Sequence, residues 1–343
     1  MSDDSMNDSA QDSGFPDKTF EKDSNEAISE HSEKDGTARK YDLSKAVDIV
    51  SLIRTKDFEL INLEVEKHVK SIVSSSAACK DFNCVFLFDH VNSLNRSHAE
   101  KIYSEIEGFK DRKDIILFLR SLGGRVEPAY LISKLCNRYK ENKFIVAIPA
   151  EAKSAATLLS LGADEIHMGP MSELGPIDPQ VHGLPLLSIP NALDKIAFLV
   201  EKYPGSASMF SDYLKDNLKI GILGYYDRIA ESASQYAQRL LKGKVTDSSR
   251  TVEDLASHFT NHYKDHRFVI DVEESAELLG RNIIKDNTEI YKVGSRVLSF
   301  FNNFEAALFF SEINKKITFI GSCCECVVDT EDDGSDSSTI PHE

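Results

Sequence analysis

No stretch of this chain approaches the run of about 18 apolar residues that a membrane-spanning helix needs, so no helical span is expected. The opening residues, MSDDSMNDSAQDSG, lack the basic start and the apolar stretch of a secretory signal. Basic side chains are in deficit, with 40 Lys and Arg against 56 Asp and Glu and a net charge of −16, which argues against a phosphate-backbone binder. The six cysteines follow no zinc spacing: Cys323, Cys324 and Cys326 are too closely set, and no second ligand pair lies near them. Nucleotide loops are missing too, because LRSLGGRV around Gly123 and Gly124 has neither GxGxxG nor the Walker Lys-Ser/Thr. The GxSxG elbow is also absent. These absences leave a soluble cytoplasmic protein with reduced thiols, no bound metal and no nucleic-acid partner as the expectation.

What is present is a chain of 343 residues, 41% hydrophobic, enough for one large core or two modest ones. Residues 1–40 are rich in Ser, Asp, Glu, Lys and Asn and bury too little to offset chain entropy, so they read as a disordered acidic tail. Residues 326–343 read the same way, which leaves 41–325 as the folded domain.

Within it, apolar strand patterns alternate with helical ones. Ser44–Val73 has helical spacing, and Cys84–Asp89 is a short apolar strand. Ser97–Gly108 is an amphipathic helix opened by a Ser cap. Strand Ile115–Leu119, helix Glu127–Tyr139, strand Phe144–Pro149, helix Ser154–Gly162 and strand Glu165–Gly169 follow. This βαβαβαβ order predicts an α/β fold with a parallel, helix-covered sheet, whose chemistry belongs in the turns after the strands. Ala192–Leu241 reads as mainly helical, broken near Tyr203–Gly205 and Gly221–Gly224. Arg267–Asp271 reads as a strand, Glu273–Leu279 and Ser295–Phe310 as helices, and Ile317–Ile320 as an edge strand.

Two of the expected turns carry candidate chemistry. Gly123 and Gly124 lack Cβ atoms, so their amides can approach a ligand closely; the plain alternative is an ordinary strand-to-helix turn. Ser154 opens a helix whose next residues, Ala155 and Ala156, leave room for a substrate backbone. Its plain role would be an N-cap, and its chemical role a nucleophile. His258, His262 and His266 fall at i, i+4 and i+8, a spacing that can align imidazoles, but the context NHYKDHR reads as an exposed helix end.

The blocks SLGG at Ser121–Gly124, KSAATLLSLGADEI at Lys153–Ile166 and MGPMSELGPIDPQ at Met168–Gln180 come in order. A weaker match continues to HRFVIDVEESAELLG at His266–Gly280. In these blocks the chain resembles the serine dehydrogenase proteinase family of the Clp-protease/crotonase superfamily, relatives of signal peptide peptidases. The resemblance implies a ββα-type crotonase/Clp fold with a helical C-terminal extension, working as a serine peptidase on a peptide or protein substrate without a cofactor. By position, Ser154 becomes the nucleophile, while the amides of Gly124 (or Gly123) and Ala155 form the oxyanion hole. The substrate would pair with the strand edge near the glycines. A homo-oligomer is implied as well. The chain departs from relatives in its acidic N-terminal tail, where many carry a membrane segment, and in SLGG, where many have SPGG.

The general base has less support. The Clp-protease histidine would fall on Pro176–Pro179, with Asp178 among them and His182 just beyond. The signal-peptide-peptidase lysine would fall in a later window that holds both Lys195 and Lys202, seven residues apart on one helix face. Lys195 stands first and His182 second, and Lys153 reads as a surface or substrate-side charge. Two rival readings share the fold: thioester chemistry using Glu173, and a scaffold that has lost its base.

Overall fold

The computed structural model describes residues 40–181, 184–185, 188–218, 220–244 and 250–328. The expected N-terminal tail and His182 lie outside them. Helix α1 (Ala46–Ile53) and helix α2 (Phe58–Ser74) replace the single helix expected over Ser44–Val73. The break falls at Lys56, which takes φ +55°, and Asp57 then caps α2 by accepting the Leu60 N–H at 3.0 Å.

Strand β1 (Phe82–Asp89), α3 (Arg96–Glu107), β2 (Asp114–Ser121), α4 (Val126–Tyr139) and β3 (Phe144–Ala147) come next. They lead into β4 (Glu151–Ala152), α5 (Ala155–Ser160), β5 (Glu165–Met168) and β6 (Glu173–Leu174). A small antiparallel pair, β7 (Gln180–Val181) and β8 (Leu184–Pro185), precedes the helical stretch α6 (Ser188–Lys202), α7 (Ala207–Asn217) and α8 (Ile220–Leu241). The chain closes with α9 (Val252–Ser257), α10 (Val272–Leu279), β9 (Ile284–Asp286), α11 (Glu289–Phe310), β10 (Lys315–Gly321) and β11 (Cys323–Val328).

The sheet runs β11-β10-β1-β2-β3-β5-β9, with β1, β2, β3, β5 and β9 parallel and β10 antiparallel to both neighbours. Its strands are apolar on both sides because both sides are covered. On β1, Val85 and Leu87 face one layer while Phe86 and Phe88 face the other. The same division separates Ile115, Leu117 and Leu119 of β2 from Ile116 and Phe118. The first layer is formed by α3, α4, α5, α8, α9 and α10. The second is formed by α1, α2 and α11 and is rich in aromatics, with Phe86 stacked on Phe118 at 4.9 Å. This is the helix-covered α/β sheet that the alternating sequence predicts.

Three expectations need correction. Helix α8 runs through Gly221 and Gly224, where a break was expected; the break comes earlier, at Leu218. Each glycine costs a helix only about 1 kcal/mol, and α8 recovers that by burying Ala233, Ala237, Leu240 and Leu241. The strand expected over Arg267–Asp271 shrinks to a bridge between Ile270 and Leu174. A turn takes the rest, with Asp265 accepting from the amides of Arg267 and Phe268 at 2.9 and 3.0 Å. Finally, β10 is an interior strand. The edge belongs to β11, which carries the sheet to Val328, into the segment read as tail.

Candidate active site

Strand β2 delivers the chain at Ser121 to a turn that only glycine fits. Gly123 takes φ +99° and Gly124 φ +147°. A Cβ at Gly124 would meet the Leu94 amide nitrogen at 2.3 Å, so the loop before α3 can press directly on it. Leu94 N–H donates to the Gly123 carbonyl and Arg125 N–H to the Leu94 carbonyl, both at 2.8 Å. The Gly123 N–H is itself taken by Ser121 Oγ at 3.2 Å. The Gly124 N–H has no protein acceptor among the described residues, which distinguishes the two glycines as donors.

The second turn lies against the first. Lys153 N–H donates to the Ser121 carbonyl at 3.0 Å, and β4 runs parallel to β2 at Ser121 and Ala152. A Cβ on Gly123 would meet Lys153 O at 2.6 Å, Ser154 Cβ at 2.8 Å and Ala155 N at 3.1 Å. The glycine backbone therefore touches the serine and the amide that follows it.

Ser154 precedes α5 with φ 51° and ψ −115°, a conformation that costs a residue with a Cβ about 1–3 kcal/mol. Its side chain does not cap the helix, so the plain N-cap role is not what the structure shows. The hydroxyl makes no hydrogen bond among the described residues. Ala156 N–H bonds back to Lys153 O at 2.8 Å, while the Ala155 N–H has no acceptor among them. A free hydroxyl on a strained residue thus precedes the free amide of Ala155, and both lie against Gly123, the residue before the free amide of Gly124. Such an arrangement can present a nucleophile and hold an oxyanion.

Lys153, expected as a surface or substrate-side charge, is not on the surface. Its side chain is 13% exposed and ion-paired to Glu173 Oε2 at 2.7 Å, with the Leu174 and Phe268 carbonyls at 3.4 and 3.3 Å. Thr157 Oγ1 lies 2.7 Å from the Ala152 carbonyl and 2.8 Å from that of Gly175, and accepts the Gly175 N–H at 3.1 Å. Residues 173–175 are thereby fastened alongside the serine turn.

The candidate bases are spread more widely. His182 lies outside the described residues. Lys195 is exposed on α6 with Nζ 5.3 Å from the Phe198 ring, and Lys202 is exposed 5.4 Å from the Tyr203 ring. No hydrogen bond or ion pair joins either lysine to the described residues around Ser154. His258 and His262 stack at 4.1 Å, and burial, then His262 and Arg250, holds His258 down at about 4. His266 lies apart from them, with Nδ1 3.7 Å from Asp178 Oδ2. Sequence spacing missed the Lys153–Glu173 clamp and the Asp178–His266 approach, because both join segments that meet only in the folded chain.

A family model described as ClpP-like SDH-type serine proteinase matches residues 82–293, a span that includes both turns. The chain is 27% identical over 180 residues to the uncharacterized protein MJ0137 of Methanocaldococcus jannaschii, covering 52% of this chain and 57% of that one. It is 26% identical over 180 residues to MJ1495 of the same organism, covering 52% and 56%. The chain thus spans little more than half the length of these relatives. Among solved structures it is similar to ClpP1 from Listeria monocytogenes, with TM-score 0.38, 15% identity and coverage of 66% of this chain and 98% of that one. It is also similar to the 1510-N membrane-bound stomatin-specific protease, with TM-score 0.38, 16% identity and coverage of 62% and 83%.

Proposed function

Because the chain belongs to the ClpP-like SDH-type serine proteinases, we propose that it hydrolyses peptide bonds through an acyl-enzyme on Ser154. The observation that carries this reading is the contact between the two turns. A serine with no internal partner for its hydroxyl, on a strained backbone, packs with the Ala155 amide against Gly123, and the next residue, Gly124, carries a free N–H. Ser154 Oγ attacks the scissile carbonyl carbon, and the oxygen that gains the electron pair is held by those two N–H groups. The strain at Ser154 keeps the hydroxyl out of the capping position, where it would otherwise bond to its own helix.

The substrate is a peptide or protein segment that pairs in extended form beside the Gly123–Gly124 turn. The clamp of Lys153 on Glu173 weighs against thioester chemistry, since it occupies the carboxylate that reading requires. The amphipathic arm of α6 and α7 buries no residue and leaves Phe198, Tyr203, Met209 and Tyr213 exposed, which supports assembly into a homo-oligomer. Six free cysteines support a reducing, cytoplasmic setting.

Mass-spectrometric mapping after treatment with a fluorophosphonate tests the nucleophile. The expected result is one label per chain at Ser154, lost in Ser154→Ala. A folded protein that takes no label would instead be a scaffold on the same fold.

A further inference from the structure

The loop that presses on the glycine turn is itself held by a buried carboxylate and a buried imidazole. Asp89 ends β1 and His98 lies in the first turn of α3, and neither side chain reaches solvent. The carboxylate of Asp89 uses both of its oxygens. Oδ1 accepts the Val91 and Asn92 amides at 2.9 and 2.8 Å, while Oδ2 accepts from Asn92 Nδ2 at 2.9 Å and from His98 Nε2 at 3.1 Å. Burial pushes this carboxyl up, but the bonds from His98, Asn92 and Val91 outweigh burial and leave it below the ordinary 3.8. The Asn95 N–H donates to His98 Nδ1 at 3.2 Å. With Nδ1 an acceptor, the ring proton belongs on Nε2, which donates it to Asp89.

Residues 90–95 are thus fastened at both ends, and between those ends Leu94 meets the glycine turn. Leu94 is buried and bridges Gly124 in parallel register. Its N–H donates to the Gly123 carbonyl and its own carbonyl accepts the Arg125 N–H, each at 2.8 Å. A trans peptide is planar, so the C=O of Gly123 and the N–H of Gly124 form one rigid unit and point in opposite directions. Whatever fixes the Gly123 carbonyl therefore aims the Gly124 N–H, the free donor of this turn. Neither glycine has a side chain to oppose rotation of that plane. Among the described residues, the bond from Leu94 is what holds it.

We infer that Asp89 and His98 are positioning residues for the oxyanion hole. By locking the loop of residues 90–95 they keep Leu94 on Gly123, and so set the direction in which Gly124 presents its N–H to the oxyanion. This rests on Ser154 being the nucleophile and deepens that reading. Neither residue touches the substrate, and neither moves a proton. A buried carboxylate is costly unless its oxygens are bonded, and here every bond it accepts comes from the loop or from the helix that follows. Asn95 completes the lock. Its Oδ1 caps α3 by accepting the Ser97 N–H at 2.9 Å, and its Nδ2 donates to the Ser93 carbonyl, next to Leu94, at 3.1 Å. Without the anchor the loop is freed, the Gly123 carbonyl turns, and the Gly124 N–H turns with it.

The test compares two reagents at Ser154 in the full chain, with folding checked by circular dichroism. One is a fluorophosphonate, and the other is its thiono analogue, in which sulfur replaces the phosphoryl oxygen. Amide N–H groups hold charge on oxygen better than on sulfur, so the oxygen-to-sulfur ratio of labelling rates reports the donors of the oxyanion hole. A purely structural defect lowers both rates together and leaves that ratio where it was. His98→Ala is expected to slow the fluorophosphonate by about 10²-fold and the thiono reagent far less, so the ratio falls by about tenfold or more. Asp89→Asn, which still offers an oxygen to the Val91 and Asn92 amides, should lower the ratio by a smaller factor. A folded His98→Ala with the wild-type ratio overturns the positioning role and leaves Ser154 standing, whether its rates are unchanged or equally reduced. If His98→Ala does not fold, Asp89→Asn decides: a lowered ratio supports the role and an unchanged one refutes it. Wild-type protein that takes label from neither reagent overturns both this inference and the nucleophile.

Discussion

Backbone conformation at single residues governs this site. Gly123 holds a positive φ and lies within contact of Ser154 Cβ and Ala155 N, so a methyl group there would strain its own backbone and push the two turns apart. Gly123→Ala is expected to destabilise the fold by about 1–3 kcal/mol, read from urea unfolding. It should also slow Ser154 labelling by about 10²-fold, because the free amides move off the position of the oxyanion. A variant as stable and as reactive as wild type would show that the turn-to-turn contact is unimportant. The two glycines and the serine were all legible in the sequence. The division of labour between the glycines was not, because it depends on Ser121 Oγ taking the Gly123 amide.

Between elements, charge holds the layer behind the site. Asp164, in the turn between α5 and β5, accepts from Lys140 at the end of α4, from Lys244 beyond α8 at 2.6 Å and from the Phe144 amide at 2.8 Å. Burial pushes its carboxyl up, but the bonds from Lys140, Lys244 and Phe144 together outweigh burial and leave it below the ordinary 3.8. The unfolded chain therefore takes up the proton first as pH falls. The stability Asp164 contributes is complete above about 4 and is lost as pH drops through its folded value. Asp164→Asn should cost about 2–3 kcal/mol near neutrality by stranding two half-buried lysines. Urea midpoints at pH 7 and pH 3 should show the gap between wild type and variant narrowing at the lower pH; a constant gap would count against the ion cluster. Helix and strand order was readable from periodicity. Partners such as Asp164 and Lys244, 80 residues apart, were not, since charge spacing carries no information about which turns meet.

At the scale of the whole molecule, the helical arm is the feature one chain leaves unfinished. Helices α6 and α7 have amphipathic sequences yet bury nothing among the described residues. A protein that assembles through this arm should run as an oligomer in light scattering. Phe198→Asp combined with Met209→Asp should reduce it to monomers with little change in the melting of the core, because both residues are already exposed in the single chain. A wild-type monomer, or an oligomer indifferent to both changes, would place the contact elsewhere or abolish it.

By itself the sequence determined the covered parallel sheet, since apolar runs of strand length alternating with amphipathic helices have few other ways to bury themselves. It also determined the strand-Gly-Gly and Lys-Ser-Ala-Ala turns, because local backbone demands are written in local residue types. Tertiary structure alone decided that the Ser154 hydroxyl is left free of its helix, that Lys153 is clamped to Glu173, and that His266 faces Asp178. Each of these depends on long-range register, such as the antiparallel pairing of Leu174 with Ile270. Register is fixed by how whole faces pack, and no single stretch of sequence encodes it.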